Sequence, residues 1–453
     1  MATIKIKKGL DIPISGALPH SNIVNGPFVR RVALVPRDYP GIKVKMLVKE
    51  GDSVDLGTPL FCDRRDEHVL FTSPAGGTVV AINRGARRKV MSVVVEIGGK
   101  ETQARQKKVT PETATRDEIK EALMRSGLWA CLRQRPFDRV APSNGTPAAI
   151  FVTCVDTNPL APKPQAIIAE KGKEFRTGLL ALAKLTDGTC YVCAADGDDA
   201  EEYLPTGNIE SWRFAGPHPA GNVGLHIHKL RPVGANTAVW HVGYQDVIAI
   251  GQFLRTTRIP TERVAALVGP GVTEPRIVRT RRGVAIEDLF GEGGVTASPA
   301  RYVSGSVLAG KTANPDSMTG FLGAYDNQVT VLEDAAPRRF MGWAGPGFDS
   351  YSITNVFAGK FIKKNFAFNT DTNGSLRAVV PIGTYESVMP MDILPTFLIK
   401  AMLSKDWETC EKLGVLELVE DDMALCAFVC PSKIDINGLL RDTLEQMEKE
   451  GLG

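Results

Sequence analysis

The stretch VKEGDSVDLGTPLF, starting at Val48, is followed from Thr72 by TSPAGGTVVAIN, and together they narrow what the front of this chain can become. Each breaks short runs of β-branched residues with tight turns, at Gly51-Asp52 and Gly57 in the first and at Pro74 to Gly77 in the second. Glycine and Asp-containing turns at such short intervals leave no room for helices and specify a meander of short strands. The same grammar runs through RRVALV, VKMLV, PLF and VMSVVVEI, so residues 1–105 read as a β-rich module. With 44 Gly and 29 Pro in 453 residues, turn-rich domains are expected beyond it too.

The two quoted pieces resemble the quasi-symmetric halves of a biotinyl/lipoyl-type domain, a small flattened β-sandwich. Such carriers present a modifiable lysine at the hairpin tip between the halves. The intervening residues here are CDRRDEHVL, with no lysine, so the module is expected to be structural and not a swinging arm.

A polar stretch, GGKETQARQKKVTPETA, leads into a helix whose start is marked by a capping box, Thr115 with Glu118. From about residue 148 apolar strands (PAAIFVTCVDT, GTCYVCAA) alternate with helical patterns (AIIAEKGKEFRTGLLALAKLT, VGYQDVIAIGQFLRT), the signature of a parallel-sheet α/β unit over 106–257. Residues 258–385 turn β-rich again (RVAALVG, RIVRTRRGVAI, RYVSGSVLAG, NQVTVLED), with further strands expected between 325 and 385. Helices return over 386–453, where ILPTFLIKAMLSKDWETCEKLG and INGLLRDTLEQMEKEG each end at a glycine suited to stop a helix. The expected architecture is therefore α+β and multidomain.

Composition excludes several function classes. A net charge of +3 and no Lys/Arg block longer than three argue against a nucleic-acid partner. No stretch approaches the ~20 apolar residues of a membrane span, and MATIKIKKGLDIPISG lacks a signal-peptide core, so a cytoplasmic location is expected. Eight scattered cysteines fit reduced thiols.

Four motifs bear on chemistry. GPHPAGNVGLHIH (216–228) holds half of the six histidines. Read as a strand, residues 224–228 would turn His226 and His228 to one face, with His218 near: a ligand-loop candidate, with no carboxylate or cysteine at metal-ligand spacing. CYVC (190–193) lies in an apolar strand, where positions i and i+3 face opposite ways, and reads as core cysteines. After AIFVTCVDT comes NPLAPKPQ, whose prolines cannot offer bare backbone N–H groups to a diphosphate, and no G-x-G-x-x-G occurs. In LCAFVCPSK, Cys426, Cys430 and Pro431 match the second half of a bacterial ferredoxin signature, but Met423 and Glu420 stand where the first two cysteines belong. The iron–sulfur motif reads as vestigial, and no metal site is expected.

Several long segments, IKKGLDIPISG, SGLWACLRQRPFDRV, IFVTCVDTNPLAPKP, GPHPAGNVGLHIHKLRPV, YQDVIAIG, TNGSLRAVVPIGTYESVMPMDILPT and LCAFVCPSK, resemble the A-subunit family of bacterial Na+-translocating NADH:quinone reductases (Na+-NQR). That family is related to the Rnf complex C subunit and the flavin subunit of complex I. The resemblance implies a biotinyl/lipoyl-like β-sandwich, a Rossmann-like α/β domain, a β-grasp (ubiquitin-like/SLBB) domain and a C-terminal helical bundle. It implies a peripheral subunit on the cytoplasmic face of the inner membrane, in a six-subunit complex passing electrons from NADH to ubiquinone while exporting sodium. Catalysis would then belong to the complex and not to the isolated chain. FMN, FAD, riboflavin and iron–sulfur centres are expected in partner subunits, among them a membrane subunit on which this chain docks, and none in this chain. Where the flavin-binding relatives carry a glycine-rich phosphate loop, this sequence has SGLWACLRQRPFDRV. Trp129, Arg133, Arg135 and Phe137 are the candidates for contact with a quinone head, since aromatic faces and fixed cations suit its ring and carbonyls. The competing reading makes this segment an interdomain elbow. The alternative function is a free-standing flavin and iron–sulfur NADH-oxidising subunit.

Overall fold

The computed structural model describes residues 2–451 apart from 100, 105, 199, 236, 292, 335–344 and 355. Two small sheets form the front module. One pairs strands Arg31–Leu34, Val90–Ile97, Gly77–Arg84 and Ser53–Val54; the other pairs Val44–Met46, Pro59–Asp63 and Asp66–Thr72. Their alternating apolar residues meet in a core that includes Leu60, Phe61, Phe71, Val79, Val93 and Val95 and runs on into the α/β and mixed-sheet units, with Phe61 stacked on Phe71 at 4.8 Å. The turn at Gly57 needs glycine: its φ is +86°, and a Cβ there would run into the Ile259 side chain. The hairpin tip is Arg64-Arg65.

Five strands of a seven-stranded sheet are parallel, and they form its α/β heart. From Ile209–Ala215 the order runs through Thr189–Ala195 and Ala149–Cys154 to Val239–Gly243, which is 3-2-1-4 in chain order, so the connections reverse direction between the last two. Cys190 and Cys193 enter different core clusters on the two faces, as the CYVC spacing requires. Helices Gly172–Ala183 and Tyr244–Thr256 pack backbone to backbone on one face. Gly178 lies against the Val247 carbonyl and Gly251 against the Glu174 carbonyl, with no room for a Cβ at either. The Thr115–Glu118 capping box forms at the start of helix Arg116–Ser126.

A six-stranded mixed sheet follows, with Glu262–Val268 and Gln328–Glu333 parallel at its centre and Arg276–Arg281 and Ala300–Ser304 antiparallel outside them. Further strands were expected between 325 and 385. Among the described residues only Gln328–Glu333 forms there; Phe366 and Asn369 make isolated bridges to Ile14 and Glu333, and residues 335–344 and 355 lie outside the described residues. Within LRAVVPIGT, Pro381 has no N–H to give a ladder and Gly383 takes a left-handed backbone.

Helices Pro395–Ser404, Trp407–Lys412, Glu420–Val429 and Ile436–Lys449 close the chain around Leu398, Met402, Met423, Leu440, Leu444 and Met447. The first of the two predicted helices is broken at Lys405 and Asp406, where Lys405 takes a left-handed backbone and Asp406 caps the next helix through the Thr409 N–H.

The front of the chain does not stay in the front module. Ala2–Lys5 is the parallel edge strand beside Ile209–Ala215, and Ile23–Asn25 pairs with Arg276–Arg281. A contiguous unit drawn over 1–105 therefore omits two crossings into other sheets.

The histidine-rich stretch departs from expectation as well. Residues Val223–Leu230 are a helix, not a strand. Val223, Leu225 and Ile227 alternate like a strand, and over eight residues that alternation masks the helix, whose Gly224 is pressed against the Asp422 carboxylate. At 100° per residue, His226 and His228 point roughly opposite ways.

Candidate functional site

A cavity of about 1120 Å³ opens at the carboxyl ends of strands Ala149–Cys154 and Val239–Gly243, where the sheet order reverses. That is the crevice in which open α/β sheets place ligands. All four parts of the chain wall it: Arg88 and Lys89 from the front module, Asp156 and Tyr244 from the α/β unit, Lys311 and Tyr325 from the mixed-sheet unit, and Asp421 and Arg441 from the helical end.

The segment SGLWACLRQRPFDRV forms one side of this junction. Helix Arg116–Ser126 ends at Gly127 in a left-handed conformation (φ +76°), and the chain turns at once into a 3-10 segment, Leu128–Cys131, that is wholly buried. Trp129 is fully buried. Its indole meets Trp240 edge to face at 5.3 Å, and its Nε1 donates to the Ala141 carbonyl at 2.7 Å. Residues Arg133–Arg135 then pair antiparallel with Val239–Gly243.

Charge fills the rest. Arg135, 1% exposed, donates from Nη1 to Asp422 Oδ2 at 2.9 Å and to the Glu417 carbonyl at 2.8 Å. Phe137 and Asp138 both take left-handed backbone (φ 75° and 55°), which costs about 1–2 kcal/mol each. The turn they make brings the Asp138 carboxylate against Arg133 Nη1 (3.1 Å) and His241 Nε2 (2.9 Å). Burial alone would raise the Asp138 pKa, but Arg133, His241 and Arg135 hold it well below the usual carboxylate range. Burial, with help from Arg133, pushes His241 down to about 3, so the ring is neutral and donates from Nε2. Phe137 packs half-buried against the helical core, and its carbonyl accepts from Arg441.

Of the four quinone candidates, then, Trp129 and Arg135 are sealed in the junction and Phe137 packs against the helical end. Only Arg133 reaches the cavity, its guanidinium 4.3 Å above the Tyr325 ring. Nearby, Asp421 is exposed, but into this cavity, with protein around it. Desolvation, opposed by Arg133 and reinforced by Asp422, Asp138 and Glu420, pushes its pKa up to about 7. Burial likewise raises Asp156, against bonds from the Asn158 N–H and side-chain amide at 2.9 Å.

The three histidines of the ligand-loop candidate are separate, and none lines the cavity. His218 pairs through Nδ1 with Thr157 Oγ1 (3.1 Å), and His226 through Nε2 with the Ala220 carbonyl (2.9 Å). Burial lowers both to about 4. His228 links the α/β unit to the helical end, donating to Glu417 Oε2 at 2.8 Å and accepting from the Asp392 N–H at 3.0 Å.

The vestigial cysteine motif does not fit an iron–sulfur cluster. Cys426 lies in helix Glu420–Val429 and Cys430 is its C-cap; both are 1% exposed. The Tyr385 hydroxyl sits 3.1 Å from Cys430 Sγ, the Ile434 N–H also points at that sulfur, and burial pushes Cys426 up to about 12. Among the described residues no group of three or more His, Cys, Asp or Glu side chains is gathered to hold a metal.

Sequence reasoning misses Asp138, His241, Asp421 and Asp422. Asp138 stands inside a quoted motif; the others owe their role to partners more than 100 residues away, and no local signal marks them.

Comparison with known proteins agrees with this architecture. Residues 4–98 match the family model described as the NqrA N-terminal barrel-sandwich hybrid domain, 114–259 the NqrA second alpha/beta domain, and 264–314 the NQRA C-terminal domain, an SLBB family. The Na(+)-translocating NADH-quinone reductase A-subunit of Rhodopirellula baltica is 45% identical, over 99% of this chain and 98% of that protein. The corresponding protein of Saccharophagus degradans is 47% identical, over 99% of this chain and all of the relative. An NAD+-reducing [NiFe]-hydrogenase chain superposes over 75% of this chain and 62% of its own, with a TM-score of 0.40 and 12% identity, too distant to carry an argument. Full-length identity at this level, together with three consecutive domain matches, places the chain in the NqrA family, the A-subunits of Na+-translocating NADH-quinone reductases.

Proposed function

We propose that the chain is the peripheral scaffold subunit of a sodium-exporting NADH:ubiquinone reductase, on the cytoplasmic side of the membrane. Flavins and iron–sulfur centres belong to its five partner subunits and none to this chain. Among the described residues no helix is long and apolar enough to cross a membrane, so contact with the membrane subunits falls to its surface. The observation that carries the reading is the state of the elbow. Where a flavin phosphate would need bare backbone, Trp129, Arg135 and Asp138 close the junction with their own indole contact and ion pairs. The sealed pair Cys426 and Cys430 supports it further. In the same reading the parallel sheet is Rossmann-like and the mixed sheet a β-grasp, supported by their 3-2-1-4 order and parallel central pair.

Any role in quinone access narrows to the cavity wall at Arg133, where a fixed cation over Tyr325 can donate to a carbonyl oxygen. Labelling the assembled complex with a photoreactive quinone tests this: adducts on residues around Arg133 support it, and adducts confined to the membrane subunits remove it. For the scaffold reading, the purified chain is expected to be colourless and to bind no NADH, while the complex without it fails to assemble. A stoichiometric flavin or iron–sulfur spectrum in the single chain would overturn it.

A further inference from the structure

Among the described residues fifteen large hydrophobic side chains are exposed, and ten of them fall between Phe348 and Leu403. Three of these share one turn: Val356 at 70%, Phe361 at 74% and Ile362 at 41%. This turn is built, not loose. The Ala358 N–H donates to the Pro346 carbonyl, the Lys360 N–H to Phe357 and the Ile362 N–H to Gly359. Gly359 is buried so closely on the Ser350 carbonyl that a Cβ would not fit. An aromatic cluster lies close by in sequence and structure, Tyr351 with Phe366 and Phe368 at 5.7 and 5.4 Å, and Phe368 reaches Phe428 at 6.0 Å. Phe361 is left out of it.

Cations lead around the turn, although Lys364 is paired with Asp349. Lys360 and Lys363 flank Phe361 and Ile362; both are exposed, and neither has an acidic partner among the described residues. Between 356 and 382 the cations are Lys360, Lys363, Lys364 and Arg377, and the one acid is Asp371, a balance of +3. Asp371 accepts from the Asn373 N–H at 2.9 Å. Lys360 lies over the Tyr351 ring at 6.0 Å. Protruding apolar side chains bracketed by lysines without acidic partners are the chemistry of an interfacial anchor, in which the rings enter the acyl boundary and the cations meet headgroup phosphates.

We infer that the Val356–Lys363 turn is a lipid-surface anchor that seats the subunit on an anionic bilayer, an inference that rests on its membership of a membrane complex. Each apolar residue adds little alone; insertion and charge attraction together hold a peripheral chain where neither would.

The full chain is mixed with vesicles of phosphatidylcholine containing one-third phosphatidylglycerol, and with vesicles of phosphatidylcholine alone, and co-sedimentation is measured. Binding is expected to the anionic vesicles only and to be lost at ~1 M salt, where screening falls to about 3 Å. Lys360→Gln/Lys363→Gln is expected to weaken it about fivefold per charge, and Phe361→Ser by tenfold or more, with thermal melting unchanged. No binding, equal binding to both vesicles, or indifference to the substitutions in a normally melting chain overturns the anchor. If the same variants instead fail to assemble with the membrane subunits in lipid-free detergent, the turn is a protein contact and the lipid assignment falls. Failure of the scaffold reading shows separately, as a complex that assembles and turns over without this chain.

Discussion

Replacing Asp422 by Asn probes whether the junction behind the cavity is held by charge or only by shape. The two side chains are nearly isosteric, and an Asn oxygen can still accept from the Val419 N–H, which Asp422 Oδ2 does at 3.0 Å. What disappears is the anion facing Arg135, and both partners are 1% exposed. Losing one hydrogen bond to a charged group costs about 1.5–3 kcal/mol, whereas stranding a buried cation costs about 3–5 kcal/mol. Arg135 keeps the Glu417 carbonyl and has Asp138 Oδ1 at 3.8 Å, so the expected loss lies where the ranges meet, at about 3 kcal/mol. Removing the cation as well, in Arg135→Met/Asp422→Asn, should recover much of this, because two apolar or neutral groups leave no unpaired charge. Urea denaturation of the wild type, both single variants and the double variant gives the coupling directly, with hydrogen exchange in helix Glu420–Val429 locating it. Additive effects, with a coupling energy below about 0.5 kcal/mol, would refute the claim that this ion pair locks the junction.

The carboxyl of Asp421 is raised to about 7, so its contribution to stability is complete below the ordinary carboxylate range and is lost as pH climbs toward 7. Asp421→Asn should therefore flatten the stability–pH curve between about pH 4 and 7 and leave the protein more stable than wild type at pH 8. His218, His226 and His241 are lowered to about 4, 4 and 3, so stability should fall as pH drops below the unfolded value of about 6.5, and their ring NMR signals should show no titration down to about pH 5. All eight cysteines are free and buried, which predicts no rapidly reacting thiol with a disulfide reagent until denaturant is added; a fast stoichiometric reaction at Cys426 or Cys430 would contradict the sealed geometry. Gly251→Ala should destabilise by more than about 1 kcal/mol, read by urea midpoint, since the new methyl enters the Glu174 carbonyl.

Local chemistry was legible where a local rule decides the outcome. The Thr115–Glu118 box caps its helix, the cysteines of CYVC split between two faces, and Gly414 and Gly451 take the left-handed backbone near the ends of the last helices. The helix at Val223 hides behind the strand-like alternation of Val223, Leu225 and Ile227. The break at Lys405 was missed because apolar spacing continues across it. The candidate site was only half visible. Trp129, Arg133 and Arg135 were singled out for the right segment, but a sequence cannot show that Arg135 finds Asp422 or that Asp138 finds His241, pairings 287 and 103 residues apart.

Strand Ala2–Lys5 leaves the ribosome about 210 residues ahead of its neighbour in the sheet, with Trp212 opposite Ala2. Ile23 likewise waits for Ile277. Vectorial folding, one domain at a time, can complete neither sheet edge. The first residues must stay unpaired until the middle of the chain emerges, and their late capture ties the front module to two other sheets. Shortening the chain at its front would thus be felt in the α/β and mixed sheets, far from the cut in sequence.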